Sequence, residues 1–131
     1  MKVPGADTRV SVASPGFIGP DAKAAKDLWW NHYHEAFRAL GEIRGFPAPQ
    51  RASFDYEANG GGALFVGSPE EIAERIVALH AAMKHDRHFF QMDLGQLPQK
   101  DFLSSIELLG TKVKPLVDAA LAEQASVPET V

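Results

Sequence analysis

The stretch that most restricts the fold is ALFVGSPEEIAERI, Ala63 to Ile76. Four consecutive apolar residues give way, through Gly-Ser-Pro, to an acidic segment of helical period. Continuous rather than alternating apolarity suits a strand covered on both faces, as strands of parallel sheets are. Ser68 is placed to cap the helix that follows, Pro69 takes its first position, and Glu71 completes a capping box. A strand that runs straight into a capped helix is half of a crossover unit, and such units build parallel sheets with right-handed connections.

The rest of the chain continues the alternation. TRVSVA, Thr8 to Ala13, reads as a short strand ending in a turn at Pro15-Gly16. A helix is expected from about Pro20 to Glu42, with Trp29, Tyr33, Ala36, Phe37 and Leu40 on one face. It stops before GFPAPQ, where prolines remove donors and fix extended geometry. Phe46 to Gly62 lacks a sustained period and reads as a long ordered loop. After Ser68 the apolar stripe is Ile72, Ile76, Leu79 and Met83, ending near Lys84-His85. HFFQMDL is the next apolar strand. The last helix carries Phe102, Ile106, Leu109 and Val113 on one face, with a bend or restart at Pro115. The fold class is therefore α/β, with two or three short parallel strands and three main helices.

With 131 residues, the chain suits one domain, residues 1–131, ordered over 9–121 and frayed over 122–131. A net charge of −4 and scattered basic residues argue against a nucleic-acid partner. No cysteine is present, which excludes disulfides, thiolate nucleophiles and cysteine-ligated zinc. No stretch approaches the length of a membrane span. A cytoplasmic protein is expected.

Few polar residues are placed for chemistry. Gly67 and Ser68 sit at a helix N-terminus that attracts phosphate, the candidate cofactor contact, although the capping box already uses the same donors. Asp93, near the end of the last strand, is the candidate catalytic acid, with Gln91 beside it; the competing reading is a cap on the turn at Gly95. Arg44 and Arg51 flank the proline-rich loop and are candidate substrate or anion contacts, or ties that hold the loop. His32 and His34 are two apart and point to different faces of a helix, so no metal site is expected. His80, His85 and His88 straddle a helix end and a strand start, where His85 suits the negative end of the helix. Trp29 lies on the core stripe, with Trp30 offset from it.

Three stretches, SPGFIGPDAKAAKDLW, GEIRGFPAPQRASFD and the run from GALFVGSPEEIAERI to LLGTKVKPLV, resemble the C-terminal segment of the bacterial-luciferase-like, flavin-dependent monooxygenases. The resemblance spans roughly Ser14 to Val117. It implies a (β/α)8 barrel that binds reduced FMN and activates oxygen to oxidise a small organic substrate. Such a barrel needs roughly 250 residues and eight strands. The expectation is thus a partial barrel segment, inactive alone, lacking the half that carries most flavin and substrate contacts. The resemblance supplies no counterpart to a catalytic histidine. Where that family usually has glycine at the end of the helix after Ser68, this chain has Lys84, so that helix is expected to end differently. Strands cut from a barrel expose two edges and an inner face, which predicts a homodimer or a partner chain completing the barrel. The alternative is a non-catalytic assembly or binding domain derived from the same fold.

Overall fold

A computed structural model describes residues 7–126. Three strands, β1 (Ser11–Ile18), β2 (Phe65–Gly67) and β3 (Arg87–Gln91), form one parallel sheet in the order β2-β1-β3. The helices are α1 (Ala22–Arg44), α2 (Arg51–Tyr56), α3 (Pro69–Met83), α4 (Gln99–Leu108) and α5 (Lys114–Ser126). The α/β class and the parallel sheet agree with the sequence pattern.

The halves of β1 have different partners. Ser11 to Pro15 pair with Arg87 to Gln91 on one side, and Gly16 to Ile18 pair with Phe65 to Gly67 on the other. Pro15-Gly16, expected as a turn, is instead the point inside a continuous strand where pairing changes sides. Proline's missing donor is tolerable there because the ladder to β3 ends at that residue. Gly16 admits the Phe65 carbonyl and the Phe90 ring so closely that a Cβ would collide with both.

Side-chain alternation sends Phe17 and Val66 to one face, where they pack with Ala25, Trp29, Phe54, Ala58 and Leu64. Ile18 and Phe65 face the other way, onto Ile72, Ala73, Ile76, Met92 and Val113. Helices α1 and α2 thus cover one face, while α3 and the C-terminal helices cover the other. Each large apolar side chain buried this way is worth about 1.5–3 kcal/mol. The connection from β1 to β2 and the return from β2 across β1 to β3 run on opposite faces. This is the winding of an open α/β sheet. A (β/α)8 barrel keeps consecutive strands adjacent and all helices outside, and here β2 and β3 flank β1.

Local chemistry explains the element ends. Asp21 accepts from the Ala24 amide at 2.8 Å and starts α1; Gly45, at φ 81°, ends it. Ser68 accepts from the Glu71 amide at 3.3 Å, and Pro69 opens α3 as expected. Lys84 closes α3 in left-handed geometry, φ 54° and ψ 37°, its amide donating to His80 at 2.8 Å. The helix expected to end differently thus ends in the left-handed cap that glycine adopts freely, held by a lysine at a cost in strain. The expected loop over 46–62 contains α2 and a wide turn at 57–61. Phe54 and Ala58, four apart, bury a face too short to produce a visible period. Between α4 and α5 the chain widens into a π-turn at Leu109–Val113, which accommodates Pro115. Helix α5 continues through the first residues of the tail expected to fray, to Ser126; 127–131 lie outside the described residues. Among the described residues, no helix is long and apolar enough to cross a membrane.

Candidate functional site

The carboxyl ends of the strands share one rim, the place where parallel α/β sheets hold ligands. The Gly19 amide donates to the Gly67 carbonyl at 3.1 Å, joining the ends of β1 and β2. Ser105 on α4 accepts from the Ile18 amide at 2.9 Å and donates to Met92 Sδ at 3.2 Å, joining the ends of β1 and β3. Trp29 Nε1 donates to the Met92 carbonyl at 3.0 Å, and His32 Nδ1 lies 2.7 Å from the Gly95 carbonyl. The rim is thus closed by hydrogen bonds between elements. Two cavities border it: one between Phe17–Asp21 and Ser104 of about 140 Å³, well below the roughly 300–1,000 Å³ of small-molecule sites, and one of about 380 Å³ beside Met92 and Asp93, walled by Phe90, Phe102 and Ile106.

Gly67 and Ser68 are at this rim, as expected from the strand-to-helix transition. Gly67 is buried against the Glu71 side chain. The Glu71 carboxylate accepts from Lys26 at 3.0 Å, and Lys26 also donates to Asn59 at 2.7 Å; its side chain is only 12% exposed. A carboxylate and its ammonium partner thus stand at the start of α3, where a phosphate would be received, and the Ser68 hydroxyl already takes the Glu71 amide.

The remaining candidates are dispersed. Asp93 is exposed just beyond β3, while the turn after it is held from α1 by Trp29 and His32. Gln91 is also exposed. Arg44 is exposed in the last turn of α1, favourable against the helix dipole. Arg51 is a tie: it donates to Asp27 at 2.6 Å and Asp55 at 2.8 Å, with its guanidinium over Trp30 and Phe54. Those carboxylates push the Arg51 pKa up, and Lys23 and Arg51 hold the Asp27 carboxyl below its usual range.

The polar cluster that stands out lies on the α3 side of the sheet. Ser14, buried on β1, has its hydroxyl 3.0 Å from His88 Nε2; His88 Nδ1 is 3.2 Å from His85 Nε2. The His80 ring centre is 5.6 Å from that of His85. His88 stacks on Phe90 at 4.7 Å and packs against Phe65. Burial, then the neighbouring His85 and Arg75, lower the His88 pKa to about 4. Burial, then His80, lower that of His85. Sequence reasoning placed His85 at the end of α3, whereas its ring turns inward, 5% exposed. The available signal was alternation: His88 and Phe90 share a strand face, so His88 belongs inside. Among the described residues, no group of three or more His, Cys, Asp or Glu is arranged to hold a metal ion. His32 and His34 do diverge, His32 to Gly95 and His34 against Trp30.

Nearby, Arg75 on α3 donates to the carbonyls of Ala58, Gly62 and Leu64 and lies 4.2 Å over the Phe65 ring. It is a structural clamp on the approach to β2, and burial lowers its pKa. Neither a family model nor a curated protein matches the chain.

Proposed function

We propose that the chain is a homologue of the luciferase-like, flavin-dependent oxidoreductases, corresponding to the C-terminal part of their barrel, and that it handles FMN only when assembled with another chain. The observation that carries this reading is the rim. Three parallel strands end together at Gly19, Gly67-Ser68 and Met92-Asp93, the end at which barrel enzymes place cofactor and substrate. The motif order from SPGFIGP to the Gly-Ser-Pro-Glu-Glu helix start supports the family assignment. The cavity at the ends of β1 and α1, about 140 Å³, is too small for a flavin, and the one of about 380 Å³ beside Asp93 is at the low end of small-molecule sites, which supports dependence on a partner.

Within such an assembly, Gly67, Ser68 and the Lys26–Glu71 pair are the groups nearest an incoming phosphate, and Asp93 is the free carboxylate at the rim. FMN would supply the oxygen chemistry; the residues of this chain would bind and orient it. The test is titration of FMN with the purified chain, alone and mixed with a full-length homologue of the family, followed by flavin fluorescence and visible absorbance. Quenching and a spectral shift in the mixture, absent for a monomer, are expected. No change in either sample at high micromolar FMN overturns the proposal.

A second reading, a non-catalytic assembly domain, is favoured by one observation. The polar groups at the start of α3 and around Arg51 are already spent on pairs within the fold. In that case the chain binds a partner without flavin in either sample.

A further inference from the structure

β3 is the last strand of the sheet, and among the described residues no strand pairs with its outer edge. Parity decides which backbone groups that edge presents. The Arg87 amide donates to the Val10 carbonyl at 3.2 Å, and Arg87 stands opposite Ser11 in the register with β1. In a parallel ladder a residue turns its amide and carbonyl to the same side, and the next residue turns both to the other. Arg87, Phe89 and Gln91 therefore serve β1, while His88 and Phe90 direct their amides and carbonyls outward. An apolar groove follows this edge: cavities of about 570 and 380 Å³ share His88, Phe90, Ile106 and Leu109. Outward donors and acceptors beside apolar side chains are a template for another strand.

The sequence of β3 says which strand fits. Read in reverse against itself about Phe90, RHFFQMD sets Arg87 opposite Asp93, His88 opposite Met92 and Phe89 opposite Gln91. Arg87, Phe89 and Gln91 are exposed on one face, and Asp93 is exposed just past the strand end. Centring on Phe89 puts Arg87 opposite Gln91, and centring on Gln91 puts it opposite Gly95. The Phe90 centre is the one that joins opposite charges.

We propose that a second copy of this chain adds its β3 antiparallel to this β3, about a two-fold axis at Phe90, so that the two sheets join across the seam. The two Phe90 residues exchange both backbone bonds, and the Met92 amide, next in the alternation, faces the other copy's His88 carbonyl. The Met92 carbonyl stays with Trp29 at 3.0 Å, so pairing stops there. Two Arg87–Asp93 pairs flank the axis, and each Phe89 meets the other copy's Gln91 at the closer, non-hydrogen-bonded positions. Symmetry makes each contact twice, and the charge pairs fix the register. This names the partner that the flavin reading leaves open, without resting on that reading: association is read from mass, and flavin from its spectrum.

The chain has no cysteine, so single introduced cysteines report the register. Under mild oxidation, Phe89→Cys and Gln91→Cys chains should cross-link when mixed, and neither should cross-link alone. Light scattering behind size exclusion should find the native chain dimeric. Arg87→Asp and Asp93→Arg each set like charges opposite one another twice and should weaken the dimer at least about tenfold. The variant carrying both changes should recover native association. The proposal is overturned by a native monomer, by either cysteine variant linking to itself, or by no link in the mixture. It is equally overturned if the single reversals associate like the native chain, or if the double variant is as weak as the singles. All four positions are exposed, and circular dichroism reads the folding of each variant.

Discussion

At the end of the central strand, the Ser105 hydroxyl receives the Ile18 amide and turns its own hydrogen to Met92, with no part of the residue exposed. Ser105→Ala would leave that amide buried and unpaired, and should cost about 1–3 kcal/mol in denaturant unfolding. The helical period did not reveal this contact. It marked Ile106 as inward, which is 44% exposed, because a stripe set by apolar residues cannot register a small polar side chain facing the core. Lys84 is the opposite case. Its left-handed backbone is strained, so Lys84→Gly should stabilise by about 1 kcal/mol, seen as a raised denaturation midpoint. His88 makes stability depend on pH. Its folded pKa is about 4, against roughly 6.5 in an unfolded chain, so the unfolded state takes up the proton first as pH falls. The stability is fully present above about pH 6.5 and is lost as pH falls towards 4. His85, lowered in the same direction, adds to the loss, and Arg75 opposes protonation of His88 from α3. Unfolding curves across this range should flatten in His88→Phe.

The elements that could be read from the sequence were those with their own punctuation. Helix α3 has Ser68, Pro69 and Glu71 at its start, and the structure begins it at Pro69. Helix α1 has a long stripe centred on Trp29 and is displaced only slightly, to Ala22–Arg44. The elements misread were set by tertiary contacts. β1 passes through Pro15-Gly16 because its partners change sides there, which no local signal announces. Helix α2 has six residues, and its inward residue Phe54 acts through other elements, with ring centres 5.2 Å from Trp30, 5.3 Å from Tyr33 and 6.4 Å from Trp29. Phe54→Ala should therefore cost about 3–5 kcal/mol, far more than a six-residue surface helix is worth by itself. A fall in thermal midpoint with loss of the tryptophan signal checks this. Gly95 shows the same dependence in a turn. It has φ 58°, and a Cβ there would meet the His32 carbonyl. Gly95→Ala should separate α1 from the turn after β3 and cost more than about 2 kcal/mol, read by protease susceptibility of that turn.

At the scale of the molecule, the question is what the sheet leaves uncovered. Helices α1 and α2 lie over Phe17 and Val66, but the same face farther along β1 and β3 is bare. Ser11, Ala13, Arg87 and Gln91 are exposed there, and Phe89 is 46% exposed with Arg87 beside its ring. β3 also ends the sheet, so an unpaired ladder edge adjoins that apolar side chain. Strand order thus pairs both edges of β1, each over part of its length, and leaves the outer edges of β2 and β3 available, which favours pairing between chains. A homodimer through β3 would place Phe89 near the centre of the interface, where aromatic and arginine side chains contribute most. Light scattering behind size exclusion should give a dimer for the native chain. Phe89→Lys should give a monomer with unchanged circular dichroism, because the side chain points away from both core clusters. A native monomer would remove the homodimer and leave a different chain as the partner; a dimer unaffected by Phe89→Lys would move the interface to the β2 edge. The rim readings separate on the same samples. Flavin binding confined to an assembled species requires the subunits to complete the rim, whereas a flavin-silent dimer retains only the assembly role.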